Sequence, residues 1–587
     1  MCGIIGYKGK KNANEIVIKG LKRLEYRGYD SFGIATKNKT LEIFKKVGKI
    51  GEIKDLKIKE SNIALGHTRW ATHGNVTETN AHPQLSQDNK IAVVHNGIVE
   101  NYQKLKKFLI KQGLKFSSQT DTEVIPQYIY YFMKKGWTFE EATKKTLNKL
   151  EGSFAIVAIH QDSKTIIGAR SGSPLVLGTG KDEFFLASDV PAFLEYTKYV
   201  IYLDDDEIVV INKNYNIFDL KNNTIVHKKI NKINWSLEQA QKENYPHYML
   251  KEIIEQKFTV KKSIEQDPKL INRVIKMIKE SFGVFLVGCG TSYHACVSSS
   301  YTFAHIAKKH VNVTLASEFR NYENFLTDKT LIIAVSQSGE TADLLDAIKV
   351  AKKHNCKIIS ICNVMGSTLT RLSDENIMMN SGPEICVLST KTYTSQLAIL
   401  LLLAYGVANR IEKAKTLVNN ASNAIKKIID DNLVRLKKLA HNLKDNKNFF
   451  LIGRDLAFPS ALEGALKIKE VSYIHAEGFA GGELKHGTIA LIENNVPVIA
   501  LVTKWTKSLI LSNTMEVKSR GAFIIGINNE ENDLYDYFIK VPELGNANPI
   551  VMIIPIQLLA YYLALELGYD PDKPRNLAKS VTVKWNK

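Results

Sequence analysis

No two of the six cysteines (Cys2, Cys289, Cys296, Cys356, Cys362, Cys386) form a Cys-x-x-Cys pair or stand at a spacing that suggests a metal cage or a disulfide framework. No metal site is expected, and a reducing, cytoplasmic setting fits. The chain does not open with a charged lead and an apolar stretch, so no signal peptide is expected. The longest apolar runs, residues 397–404 and 550–565, fall short of the roughly 20 residues that span a bilayer. The second is interrupted by Pro555 and Gln557; both read as buried helices, and no membrane partner is expected. A Gly-x-x-x-x-Gly-Lys-Ser/Thr loop is missing, as is a complete Gly-x-Gly-x-x-Gly, which argues against a bound nucleotide and leaves no cofactor indicated. The net charge is +19, yet Lys is spread along the chain with Asp and Glu between. That dispersal argues against a nucleic-acid-binding face and leaves small anions as the partners the charge favours.

What the chain has is length and order. Its 587 residues, 44% of them hydrophobic, suffice for three or four domains with cores of their own. Residues 1–235 alternate short β-rich runs with Gly and Asn turns, which predicts an α+β domain of stacked antiparallel sheets with a few helices. A polar stretch at 231–247, containing Pro246, is the best linker candidate, and 236–264 reads as linker and lead-in helix. Beyond it, apolar strands followed by long amphipathic stretches predict parallel α/β units. These units repeat: Phe282-Gly-Val-Phe-Leu-Val-Gly288 is echoed by Phe449-Phe-Leu-Ile-Gly453 at an offset of 167 residues. Leu331-Ile-Ile-Ala-Val335 and Lys357-Ile-Ile-Ser-Ile361 are echoed at offsets of 166 and 165. A near-constant offset predicts a duplicated doubly wound domain, with lobes at 265–425 and 430–570 and a tail at 571–587.

Cys2 directly follows Met1. Removal of Met1 would give one residue both a thiol and a free α-amino group, whose pKa of roughly 7.7–8 suits a general base. Further polar clusters are Arg27-Gly28-Tyr29-Asp30-Ser31, His67-Thr68-Arg69-Trp70-Ala71-Thr72-His73-Gly74, His95-Asn96-Gly97 and Thr120-Asp121-Thr122-Glu123. Singly, each residue has a plainer use. Arg69 could form a surface ion pair, Asp121 could cap the following segment, Asn96-Gly97 could be a hairpin turn, and His73 or His95 could be structural. In this order with Cys2, however, they resemble the glutaminase domain of the N-terminal-nucleophile amidotransferases. The resemblance implies that Cys2 attacks the glutamine carboxamide and that the Asn96 amide and the Gly97 N–H hold the resulting oxyanion. It assigns Arg69 to the glutamine carboxylate and Asp121 to its ammonium. His73 joins them as a glutamine-binding residue, and Trp70 becomes a gate between the ammonia source and its destination.

In the second half, Gly288-Cys289-Gly290-Thr291-Ser292-Tyr293 follows one predicted strand and Val335-Ser336-Gln337-Ser338-Gly339-Glu340-Thr341 the next. Ligands of doubly wound sheets sit at such strand ends, where helix N-termini suit an anion. Either motif alone could equally be a Ser-rich turn. Together they resemble the phosphosugar-binding sugar isomerase (SIS) domain. That resemblance makes Thr291, Ser292, Ser336, Gln337, Ser338, Thr341 and Val387 sugar-phosphate ligands. The matching strand of the second lobe ends in Val502-Thr503-Lys504-Trp505, so that lobe is expected to lack a phosphate site. It carries instead Glu463, Lys467 and Glu470, which a helix would place on one face. A solvated, salt-bridged face is the plainer reading of that triplet.

With Ile474-His475-Ala476-Glu477, Gly482-Glu483-Leu484-Lys485-His486-Gly487 and Pro574-Arg575-Asn576-Leu577-Ala578-Lys579-Ser580, the resemblance becomes one to the glucosamine-6-phosphate synthase family over essentially the whole chain. It implies L-glutamine and D-fructose 6-phosphate as substrates, ammonia passed between two sites, and a homodimer in which each chain lends His486 to the other. Lys579 would form an imine with the sugar ketone, Glu470 would move a proton between the first two sugar carbons, and His486 would open the ring. Glu463 and Lys467 would assist. The chain departs from the family at Phe32, at Thr488 and in the extension 584–587, none of which removes a proposed catalytic group. No long insertion interrupts the glutaminase half, so feedback inhibition by a nucleotide sugar is not expected. The competing reading is a non-catalytic sugar-phosphate sensor, which would need a recognition helix or basic arm.

Overall fold

The computed structural model describes residues 2–52, 59–70, 73–233 and 242–581. Met1, part of the linker candidate and the extension 584–587 lie outside the described residues. The chain divides into two compact units, Met1–Gln239 with Ala578–Lys587, and Ala240–Leu577.

In the first unit an eight-stranded and a six-stranded sheet, every pairing in them antiparallel, are stacked. Successive residues of a strand point to opposite faces, and here both faces are covered. Val94 and Val157 join Ile4, Leu65 and Leu186 in the core between the sheets. Val93 and Ile156 face the other way, into a core with Leu105 and Leu109 of helix Tyr102–Lys111 and with Val124 and Ile129 of helix Val124–Lys134. Helix Ala13–Leu24 covers the outer face of the eight-stranded sheet in the same way, which explains why strands Gly3–Lys8 and Ile63–Arg69 are buried almost throughout. Gly3–Lys8 lies between Ile63–Arg69 and Phe184–Ala187, which gives residue 2 the start of an interior strand rather than a loose end.

The second unit holds two five-stranded parallel sheets. In the first, strand Gly283–Gly288 lies between Asn312–Leu315 and Thr330–Ser336, followed by Lys357–Cys362 and Glu375–Met378. In the second, Asn448–Gly453 lies between His475–Ala480 and Pro497–Leu501, followed by Phe523–Asn528 and Tyr537–Lys540. Numbered within each lobe, both orders are second-first-third-fourth-fifth, and the three repeats legible in the sequence are the first, third and fourth strands of each. Local signals are strong here. Asp267 caps helix Pro268–Glu280, with proline at its first position and Ile271, Val274, Ile275 and Ile278 forming its buried stripe.

One helix differs from the sequence reading, and two expected ones show more than was expected of them. Ile411–Leu443, 33 residues long, runs straight through 425–430, where the joint between the lobes was expected. Tyr248–Ser263, expected as a lead-in, inserts Met249, Ile253 and Val260 into the core that joins both lobes. Asn548–Glu566 is the buried helix expected from the second apolar run, and it continues through Pro555 and Gln557. It is long and apolar enough to cross a membrane, yet 89% of its most apolar window is buried within the protein. Gln557 is accommodated by accepting a hydrogen bond from Gln256 at 2.6 Å.

Candidate active sites

Strand Gly3–Lys8 begins beside the end of Ile63–Arg69, and that register sets Cys2 against Trp70. The Trp70 N–H donates to Cys2 Sγ at 3.1 Å, and the Trp70 carbonyl lies 3.4 Å from the same sulfur. Burial pushes the Cys2 thiol up, while the Trp70 N–H and Arg69 pull it back. The loop 27–30 closes over this strand end because residue 28 has no side chain: a Cβ on Gly28 would lie 2.8 Å from Trp70 N. Trp70 packs edge-on against Tyr29 at 5.4 Å.

Asn96 donates from Nδ2 to the Cys2 carbonyl at 2.8 Å. Its orientation is fixed from behind. His67 Nε2 faces both Asn96 Oδ1 and the His95 carbonyl at 3.1 Å, and because both partners are acceptors the ring proton sits on Nε2. Burial drives His67 down to about 3, so the ring is neutral. The sequence reading gave His67 no role, although it lies two residues from Arg69 on the same face of a strand. Asn96-Gly97 is not a turn but part of strand Ile91–Val99, paired with Ala155 and Phe154. Gly97 has φ +122, and a Cβ there would lie 2.0 Å from the Ser153 carbonyl oxygen.

Arg69 is buried and, among the described residues, forms no surface ion pair. Its guanidinium donates to the carbonyls of His73, Gly74 and Asn75, the last at 3.3 Å. Asp121 is 4% exposed and accepts the Val99 N–H at 2.8 Å, while the N-cap of the following helix is Glu123, so Asp121 is not that cap. His73 lies edge-on to Tyr102, and His95 Nδ1 meets Thr122 Oγ1 at 2.9 Å.

In the second unit the two Ser-rich motifs emerge at the carboxyl ends of adjacent strands, Gly283–Gly288 and Thr330–Ser336, and lead into helices Thr291–Thr302 and Ala342–Lys353. Ser336 Oγ accepts the Gly339 N–H at 3.0 Å and Ser338 Oγ the Glu340 N–H at 3.2 Å, folding the second motif into a tight turn. Gly339 has φ +65, with Ser367 Oγ 2.1 Å from where a Cβ would stand. The Gln337 carbonyl accepts the Asn363 N–H, and Thr341 precedes its helix without capping it through its side chain. Ser292 Oγ accepts from Gln396 at 3.1 Å, and the Val387 N–H donates to the Asp572 carbonyl at 3.3 Å. In the second lobe the matching strand end differs in kind, because the Glu543 carboxylate accepts the Lys504 N–H at 2.9 Å. A fixed negative charge there opposes anion binding.

Helix Ala457–Ser472 does carry Glu463, Lys467 and Glu470 on one face, but the face is not solvated. Glu463 and Lys467 are fully buried, and only Glu470 is partly exposed. Lys467 Nζ lies 3.3 Å from Glu463 Oε1 and 2.7 Å from Glu470 Oε2. Burial alone would lower its pKa, but the two carboxylates outweigh that and raise it. Thr291, at the start of the first lobe's helix, donates its hydroxyl to Glu463 Oε1 and accepts from Lys467, both at 3.0 Å. Lys467 also reaches the Ser389 carbonyl at 3.3 Å. His294, which the sequence reading passed over, places Nδ1 2.8 Å from Glu463 Oε2. His486 ends the 3-10 turn Gly481–His486 and is exposed, and Lys579 is half-buried in the segment grouped with the first unit.

Comparison with known proteins is consistent across the chain. The glutamine amidotransferase domain family matches residues 43–247, and the SIS domain family matches 277–405 and 442–567. The chain is 47% identical to the isomerising glutamine–fructose-6-phosphate aminotransferase of Thermococcus kodakarensis, over 99% of this chain and 100% of that one. It is 45% identical to the Pyrococcus horikoshii protein of the same name at the same coverage. Among solved structures, the C-terminal domain of glucosamine-fructose-6-phosphate aminotransferase from Francisella tularensis matches with a TM-score of 0.53 at 35% identity, covering 57% of this chain and 99% of that one.

Proposed function

From the premise that the chain belongs to the isomerising glutamine–fructose-6-phosphate aminotransferases, we propose that it converts L-glutamine and D-fructose 6-phosphate into L-glutamate and D-glucosamine 6-phosphate. Cys2, freed of Met1, attacks the glutamine carboxamide while its α-amino group takes the thiol proton. Asn96 Nδ2 and the Gly97 N–H hold the tetrahedral oxyanion. Ammonia leaves with the returned proton, and water then cleaves the thioester. Arg69 holds the glutamine carboxylate and Asp121 its ammonium, with His73 beside them and Trp70 as the gate. The ammonia travels through protein, since in bulk water it would be protonated and lost as a nucleophile.

At the sugar site, Ser292, Ser336, Gln337, Ser338 and Thr341 hold the phosphate, with Thr291 and Val387 completing the pocket. His486 gives the ring oxygen a proton. The Lys579 amine condenses with the C2 ketone and expels water, and ammonia then displaces the lysine. Glu470 removes a proton from C1 and returns it to C2, which leaves an aldehyde at C1 and an amine at C2. Lys467 and Glu463 hold Glu470 in place. The exposed His486 supports a homodimer in which each chain lends this residue to its partner. A glutaminase domain at 1–235, two sugar isomerase lobes joined through helix Ile411–Leu443, a tail from 571, work in the cytoplasm and a supply role in amino-sugar synthesis complete the reading.

The observation that carries it is the buried Glu463–Lys467–Glu470 array bound to Thr291 of the phosphate-loop helix, because a glutaminase alone has no use for it. The test follows glutamate and glucosamine 6-phosphate together. Equal yields of both, abolished by Cys2→Ala while hexose-phosphate isomerisation persists, are expected; glutamate without amino sugar would overturn the reading.

A further inference from the structure

Glu463 is wholly buried, and its two oxygens have different partners. Oε1 meets Thr291 and Lys467, whereas Oε2 meets, among the described residues, His294 alone, at 2.8 Å. His294 projects from the first lobe's helix and its side chain is 15% exposed, so it stands between solvent and the closed array. Two carboxylates share a single ammonium here, leaving one negative charge in excess. A buried carboxylate oxygen that loses its donor is left unmatched, which favours rotation of the group toward another partner.

We propose that His294 is a positioning residue of the sugar site. By donating Nδ1–H to Glu463 it holds that carboxylate in the orientation that meets Lys467, so that Lys467 stays shared between Glu463 and Glu470 and Glu470 remains basic enough to take the sugar's C1 proton. Without His294, Oε2 loses its donor and the Glu463 carboxylate turns away from Lys467. Lys467 then pairs with Glu470 alone, which makes Glu470 a weaker base. His294 touches no reacting atom in this scheme; it acts through Glu463. The inference rests on the reaction proposed above.

The test measures kcat and KM for fructose 6-phosphate in amino-sugar formation by the full chain. His294→Leu is expected to lower kcat by about tenfold or more with KM changed less than about twofold, as loss of tuned acid–base chemistry requires. His294→Asn, which keeps a donor near the Nδ1 position, should recover most of the rate. If His294 acts through Glu463, the double variant His294→Leu/Glu463→Gln should be no slower than Glu463→Gln. A kcat within about twofold of the parent, a change in KM only, or losses that multiply in the double variant would overturn the inference. Should His294→Leu fail to fold, His294→Asn and His294→Gln carry the test, since glutamine extends its donor toward the Nε2 position; equal activity of those two would overturn it. An unaltered chain that makes no amino sugar would refute the proposed reaction instead.

Discussion

Thr291 Oγ1 lies 3.0 Å from Glu463 Oε1, so a hydroxyl at the first helical turn of one lobe closes an ion pair carried by the other. The same oxygen accepts from Lys467, which uses both capacities of the hydroxyl. Thr291→Val should therefore cost about 1–3 kcal/mol, the penalty for a buried polar partner left unmatched. It should also slow amino-sugar formation, whereas Thr291→Ser should do neither to the same extent. Thermal unfolding of the three proteins decides, and a valine variant melting with the parent would refute the coupling.

The histidines of the glutaminase unit predict acid sensitivity. His67 titrates near 6.5 when unfolded but at about 3 when folded, because burial disfavours its charged form. Between those values the unfolded chain binds the extra proton. Stability is thus present above about pH 6.5 and falls as the pH drops through the window, by about 1.4 kcal/mol per unit for one such group. His82 and His95 are lowered by burial as well and add to the slope. Melting temperatures from pH 7 to 4 should show it, with a shallower slope for His67→Gln; a flat profile contradicts the buried, neutral assignment.

Gly97→Ala meets two obstacles at once, a left-handed φ and the Ser153 carbonyl 2.0 Å from the new Cβ. Displacing this strand moves the proposed oxyanion donor, and loss of such a donor typically costs about 100-fold or more in rate. Glutamine hydrolysis should fall by that factor while hexose-phosphate isomerisation survives. Hydrolysis above a tenth of the parent rate would remove Gly97 from the oxyanion site.

Asp572 accepts the Tyr248 and Met249 N–H groups at 2.8 Å each, tying the C-terminal segment to the start of helix Tyr248–Ser263. Lys579 follows seven residues later. Asp572→Ala should destabilise the second unit by about 1–2 kcal/mol, as loss of an N-cap does. Amino-sugar formation should fall while glutamine hydrolysis stays close to normal. Parallel assays of the two activities check this, and an equal loss of both would show a general folding defect instead.

The architecture was legible in the sequence because each repeated strand carries its own apolar run, and a shared offset survives whatever lies between. The common face of Glu463, Lys467 and Glu470 was legible for a similar reason, since helical periodicity is local. Its burial was not. The covering groups, Thr291 and His294, come from a helix some 170 residues earlier, and no local pattern encodes that meeting. The joint between the lobes escaped detection because helix Ile411–Leu443 has no break where one was expected. Arg69 and Asp121 looked like ordinary surface or capping residues when taken singly. Their burial and their backbone partners set them apart: Asp121 is met by Val99 of a distant strand, and Arg69 by the carbonyls of the loop at 73–75.

The two lobes repeat one strand order, yet they have parted in chemistry. One keeps hydroxyls at its strand ends, while the other sets Glu543 across the corresponding turn. A copied domain released from holding a ligand is free to specialise, and here the spare copy supplies the buried Glu463–Lys467–Glu470 helix that leans on Thr291 and His294 of its sibling. Duplication thus produced a division of labour, in which neither copy alone holds the complete set of groups.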